Sequence, residues 1–172
     1  FDPKSGFFGS NSNYDTTRRL GVECEQRTNL LKIVEVDVLN RWELFSSYVY
    51  QRPEFFDGPN DGKLIPMVPE NQWTAGTSFG FWDHYDFSIS GRYTGSRFAI
   101  NDTLNETAKV KSHIVMDTKL SYRRLDYQVY LAVDNVLGEQ YYSYVSKAVG
   151  SFVKDYYPAP ERTFRAGMSV LF

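Results

Sequence analysis

Cysteine is nearly absent from this chain: Cys24 is the single one in 172 residues. That excludes an internal disulfide and a cysteine-built metal site, and Cys24 reads as a small apolar residue on a strand. Long hydrophobic runs are missing too. No window approaches 18 consecutive apolar residues, so no transmembrane helix is encoded. A membrane strand stays open, because it spans with about ten alternating residues. Charge of one sign is not in excess: 19 basic against 21 acidic side chains leave a net charge of −2, which argues against a nucleic-acid partner. No Ser/His/Asp arrangement, Gly-rich phosphate loop or paired-His metal motif occurs, so neither an enzyme nor a cofactor is expected. His84 in a turn and His113 at a strand start read as solvated. The chain opens at Phe1 without a methionine or a signal-peptide pattern, and is read as following a cut or an upstream part.

What is abundant is aromatic. Phe, Tyr and Trp make 17% of the chain, yet its mean hydropathy is polar at −0.44. Strands with one greasy and one wet face give that combination. Period-two alternation recurs seven times. The apolar phases are Leu20, Val22 and Cys24; Trp42, Leu44, Tyr48 and Tyr50; Trp73, Ala75, Phe79 and Phe81; Tyr85, Phe87, Ile89 and Tyr93. They continue with Ile114, Met116, Leu120 and Tyr122; Tyr127, Val129, Leu131 and Val133; and Phe164, Ala166, Met168, Val170 and Phe172. Arg92, Asp117, Lys119 and Arg165 fall in the opposite, polar phase.

The connections alternate as well. Asp83-His84 and the Arg124-Leu125 region read as tight turns, whereas 51–72, 99–112 and 138–161 read as long loops rich in Gly, Pro, Asn and Asp. Short turns on one side and long loops on the other is the asymmetry of an outer-membrane barrel, with Trp42, Tyr50, Trp73, Tyr85 and Tyr122 suited to interfacial aromatic girdles. Residues 27–41 resist this scheme. They read as one very long strand, as a strand with a structured connection, or as a hairpin turning at 27–29 that would make eight strands. Gly91 and Gly95 suggest a bend or bulge, Pro158 and Pro160 stop the ladder before the last strand, and Asn135 and Gly138 suit left-handed backbone at a strand end.

In order along the chain, TRRLGVE at 17–23, SSYVYQRPEF at 46–55, GKLIPMVPENQ at 62–72, GRYTGSRF at 91–98, VDNVLGEQYYSY at 133–144 and YYPAPERTFRAGMSVLF at 156–172 resemble the C-terminal third of TonB-dependent outer-membrane receptors. The resemblance implies an all-β, antiparallel transmembrane β-barrel, of which residues 1–172 are the last seven or so strands, the plug and earlier strands lying upstream. The full barrel would be about 22-stranded and plugged. It further implies a Gram-negative outer membrane, and TonB-dependent uptake of a scarce solute such as a ferric siderophore, haem, cobalamin or another metal chelate. The implied partners are membrane lipid, the remaining barrel and plug, TonB with ExbB and ExbD through that plug, and the barrel-assembly machinery. Arg165, Gly167, Val170 and Phe172 resemble the C-terminal assembly signal of outer-membrane proteins, although any amphipathic last strand can end in Phe.

Loop positions expected to face a ligand are Phe55, Phe56, Arg97, Asn101, Asp102, Tyr141 and Tyr142, although such aromatics also pack loops or sit at a lipid interface. Asn101, Asp102, Asn105 and Glu106, or Asp57, Asn60 and Asp61, offer oxygen atoms that suit Ca²⁺. Solvated loops contain the same residues, and no metal site is expected. Two rival readings are an independent eight-stranded barrel with a porin or structural role, if residues 17–38 form a hairpin, and a soluble β-sandwich binding protein.

Overall fold

A computed structural model describes residues 16–148 and 150–170. Nine strands are present among them: β1 Thr17–Asn29, β2 Leu39–Phe55, β3 Asn71–Phe81, β4 Tyr85–Thr94, β5 His113–Arg124, β6 Tyr127–Asp134, β7 Tyr142–Lys147, β8 Lys154–Pro158 and β9 Thr163–Val170. Seven form one antiparallel sheet in the order β1-β2-β3-β4-β5-β6-β9, and β7 pairs with β8 in a separate hairpin. No described helix is long and apolar enough to cross a membrane, which says nothing of strands.

Register turns the seven alternations into one surface. Directly opposed residues in an antiparallel pair share a face. Val22 opposes Tyr50, Tyr48 opposes Trp73 and Trp73 opposes Tyr93. Tyr93 opposes Ile114, Leu120 opposes Leu131 and Val129 opposes Met168. The predicted apolar phases therefore merge into a continuous face from β1 to β9. It is left bare: Val22 is 68% exposed, Leu131 63% and Met168 68%.

Two aromatic rows bound this face. Near the short turns Trp42, Phe79 and Phe87 follow one another at 5.6 and 6.3 Å, and Phe81, Tyr85 and Tyr122 at 5.3 and 4.9 Å. Near the long loops lie Tyr48, Trp73 and Tyr93. Polar side-chain atoms here bond to one another. Trp42 Nε1 donates to Thr77 Oγ1 (3.2 Å), whose hydroxyl donates to the Glu43 carbonyl (2.9 Å). Trp73 Nε1 donates to Ser46 Oγ (2.8 Å) and Gln26 Nε2 to Thr28 Oγ1 (3.1 Å). Above the upper row the same face turns ionic, where Arg18 and Arg52 both hold Glu54.

The opposite face is charged. Arg41 pairs with Asp86 (2.7 Å) and Arg165 with Asp134 (2.6 Å), and Lys119 Nζ lies 4.8 Å from the Tyr130 ring centre. Glycines there make room for aromatic rings from the neighbouring strand. A Cβ on Gly76 would meet the Phe45 ring and the Ile89 carbonyl, each at 2.7 Å.

Several expectations need correction. Of the three readings of residues 27–41, the single long strand and the hairpin at 27–29 fail, and the strand with a structured connection holds. β1 runs to Asn29, whose side chain accepts the Leu31 amide (3.1 Å) and caps a 3-10 turn at Leu30–Lys32. Leu39 then opens β2, so the condition for an independent eight-stranded barrel is not met. Gly91 sits in an unbroken ladder rather than at a bulge. The register shift lies between Leu39 and Arg41 instead. The 138–161 connection contains the β7–β8 hairpin. Asn135 and Gly138 do take left-handed φ angles of 53° and 66°.

Two glycine substitutions should part company. A Cβ on Gly91 meets only Met116 Cγ at 3.6 Å, so Gly91→Ala should stabilise by about 0.5–1 kcal/mol through lost backbone freedom. Gly76→Ala should destabilise, because a backbone carbonyl stands in the way. The midpoint temperature of thermal unfolding, followed by loss of β-sheet circular dichroism, checks both signs.

Candidate functional site

Three long connections leave the same end of the sheet, and they are bound to one another rather than splayed. In the β2–β3 connection the Met67 amide donates to the Phe98 carbonyl (2.9 Å), and Leu64 exchanges two bonds with the Asn105 side chain (2.7 and 3.0 Å). In the β4–β5 connection Arg97 and Val110 exchange main-chain bonds at 3.2 and 2.7 Å. Ile100 receives the Lys147 amide and donates to the Val145 carbonyl, both at 2.9 Å, locking this loop to the β7–β8 hairpin. Ala99, Val110 and Val145 form a small apolar core between them.

Asp102 pins this cap. Its side chain is fully buried and accepts the Glu106 amide (3.0 Å), the Thr107 amide (3.1 Å) and the Thr107 hydroxyl (2.6 Å). Lys147 Nζ reaches across from β7 to Asp102 at 3.5 Å and to Glu106 at 2.8 Å. Burial pushes the Asp102 pKa up, but the Thr107 hydroxyl, the two amides and Lys147 outweigh it and hold the carboxyl below its ordinary 3.8. Lys147 is raised, chiefly by its bond to Glu106.

Between residues 108–113, 139–142 and the hairpin lies a cavity of about 500 Å³. Val110, Lys111, His113, Glu139, Tyr141 and Lys154 are among its walls. His113 opposes Thr94, in phase with Asp117 and Lys119 on the charged face. Its ring stacks on Tyr141 at 4.4 Å with the planes 21° apart, and Tyr142 lies 4.7 Å from Tyr156.

The residues named from sequence part into groups. Tyr141 and Tyr142 both line this cavity. Arg97 is buried beside it, Nη2 donating to the Tyr142 carbonyl (3.1 Å). Phe55 and Asp102 are fully buried, so neither side chain faces a solute. Phe56 is exposed with the Arg18 guanidinium 4.5 Å over its ring, and Asn101 lines a separate depression beside Lys147. Of the oxygens proposed for Ca²⁺, those of Asp102 and Asn105 accept the bonds above, Glu106 Oε2 pairs with Lys147, and Asp61 accepts the Asp57 amide (3.1 Å). Among the described residues no group of three or more His, Cys, Asp and Glu can hold a metal. Sequence reading took His113 as solvated, whereas its ring stacks on Tyr141 in the cavity wall, and it missed the cavity's lysines; the polar–apolar–polar alternation Lys109-Val110-Lys111 is the signal that was there.

On β9, Arg165 grips Asp134 and Val170 opposes Tyr127. A Cβ on Gly167 would meet the Tyr130 ring at 2.5 Å. Phe172 lies outside the described residues.

The family model for the TonB-dependent receptor-like β-barrel matches residues 1–136. No curated protein matches the chain in sequence. Among solved structures, the ferric citrate transporter FecA in its unliganded form is 21% identical over 94% of this chain and 26% of its own, with a TM-score of 0.76. The ferric-catecholate import receptor Fiu from K12 E. coli is 24% identical over 95% and 22%, with a TM-score of 0.70. The ferric yersiniabactin uptake receptor FyuA from Yersinia pestis is 16% identical over 90% and 23%, with a TM-score of 0.71. The chain thus spans about a quarter of the length of these structures.

Asp102→Ala should release the cap without melting the sheet. Hydrogen exchange is expected to accelerate at residues 100–107 and in β7–β8, while β3 and β4 keep their protection. Because the folded pKa is depressed, the wild-type anchor is intact above the ordinary 3.8 and is lost as pH falls through the lower folded value. Cap protection that is unchanged at pH 5 and fades only below about pH 4 would bear this out.

Proposed function

The chain belongs to the TonB-dependent receptor-like β-barrel family, a family of receptors rather than enzymes, and from that premise we propose that it forms barrel wall and external loops of a Gram-negative outer-membrane receptor for a scarce solute. That solute is a ferric siderophore, haem, cobalamin or another metal chelate. A plug inside the barrel passes energy from TonB, ExbB and ExbD, as the family implies. Arg165, Gly167, Val170 and Phe172 serve recognition by the barrel-assembly machinery.

The observation that carries this reading is the bare apolar face, seven strands wide, backed by a charged one. In hydrocarbon every polar group must find its partner within the protein, and the bonds of Trp42, Trp73, Thr77 and Gln26 meet that demand. Trp42 and Tyr50 stand eight residues apart on β2, about 26 Å along the strand, or about 20 Å along the membrane normal at a tilt near 40°. That suits an apolar band about 25 Å tall. The edges β1 and β9 carry unpaired main-chain groups that each cost several kcal/mol in lipid, so neighbouring strands of the complete barrel cover them.

Spin labels at Ile89, Leu131 and Met168 of the complete receptor should collide with dissolved oxygen and be shielded from a water-soluble relaxant. Labels at Ser90 and Ala132 should not be reached by lipid-borne quenchers. Leu131→Arg should lose about 2–4 kcal/mol of stability. Tags in the three long loops should be reachable on intact cells, and loss of the gene should abolish TonB-dependent growth on one metal chelate. Lipid exposure of Lys119 or Asp117 would overturn the proposal.

A further inference from the structure

The cavity between residues 108–113 and 139–142 carries more positive charge than its surroundings neutralise. Lys109 is answered by Glu70 at 3.0 Å. Lys111 has no ion-pair partner among the described residues, and Lys154 spends its ammonium on the Ala108 carbonyl, which leaves its charge intact. Glu139 is the one carboxylate among the walls. Behind them, Arg97 is only 7% exposed and its Nη1 is sealed from solvent without a hydrogen-bond partner. No carboxylate lies within ion-pair distance of it among the described residues. Burial alone moves its pKa, downwards, with no neighbouring anion opposing the shift. An arginine remains charged even so, and a buried charge without a counter-charge is costly to keep. Lys111 and Lys154 on the walls, with Arg97 buried behind them, thus stand as three cations without an ion-pair partner among the described residues, against one wall carboxylate.

The rest of the cavity supplies shape. The His113 and Tyr141 rings lie nearly parallel on its charged-face side, and a flat group extends such a stack at little entropic cost. Phenol hydroxyls and ammonium groups are donors that match oxygen anions. A space of about 500 Å³ falls in the range of small-molecule sites.

We propose that this cavity is a recognition site for a flat, oxygen-rich organic anion, drawn in by the uncompensated field of Arg97, Lys111 and Lys154 and stacked against Tyr141. It rests on the uptake reading above and narrows it: the solute presents carboxylate or phenolate oxygens at this point, rather than a neutral or cationic surface.

Titration of the complete receptor in detergent with pyridine-2,6-dicarboxylate and with the uncharged pyridine-2,6-dicarboxamide tests it, since the two share shape and differ in charge. The dianion should bind at least tenfold more tightly, and 0.5 M salt should erode that preference several-fold. Lys111→Glu, on an exposed side chain, should abolish the preference while the folded barrel keeps its heat stability. Arg97→Met should weaken the dianion and leave the dicarboxamide unchanged. Equal binding of the two probes, no binding of either, or a Lys111→Glu receptor that still prefers the dianion would each overturn the inference. If uptake of a metal chelate proves TonB-dependent while the probes bind equally, the uptake reading stands and this one falls. If the dianion binds selectively but no TonB-dependent uptake exists, the reverse holds.

Discussion

The in-register ladder from β1 to β9 is the constraint on which everything else depends. Side chains alternate with a period of two, so a slip of one residue on any strand would swap its faces and place Lys119 among Phe87 and Leu131. Six successive pairings keep that phase, and the one register shift lies at Asn40, at the very start of β2. There the Asn40 side chain donates to Asp83 (3.0 Å), and a Cβ on Gly80 would strike it. The irregularity turns only the first residue of β2, setting Leu39 opposite Phe81 on the apolar face while Arg41 stays on the charged one.

The loops obey a different rule. An outward-facing strand end has no further ladder partner, so its polar groups must be met locally. The cap does so with main-chain bonds between connections far apart in sequence, around a single buried carboxylate. Asp102 saturates its oxygens with two amides, a hydroxyl and an ammonium, which is how a buried charge becomes an anchor rather than a liability. Arg97, a few residues earlier, is the counterexample, a buried charge not so answered.

Much of this was legible in the sequence, and the pattern of failure is physical. Alternations such as Phe79-Phe81 and Met168-Val170 report which face a residue takes, because a half-buried strand writes its environment at every second position. The left-handed angles at Asn135 and Gly138 followed from residue type alone. Residues 27–41 allowed a single long strand beside the strand and structured connection that are present, because Leu30, Val34, Val36 and Val38 prolong the even phase, while the Asn29 side chain ends the strand with a hydrogen bond that periodicity does not register. Phe55 read as a loop aromatic, yet β2 continues to it and buries it. The β7–β8 hairpin and the Asp102 anchor depend on contacts between loops, for which a one-dimensional pattern carries no mark.

Strand lengths fall across the sheet, from 17 residues in β2 to 8 in β6 and in β9. At about 3.3 Å per residue that is about 56 Å of wall on one side and about 26 Å on the other. The turn ends stay nearly level, since Phe81 opposes Tyr85 and Tyr85 opposes Tyr122, so the whole difference appears at the rim. The loop-side edge of the described sheet is therefore stepped, higher at β2 than at β6 and β9. The β7–β8 hairpin continues from the lower edge and is held there by its bonds to Ile100.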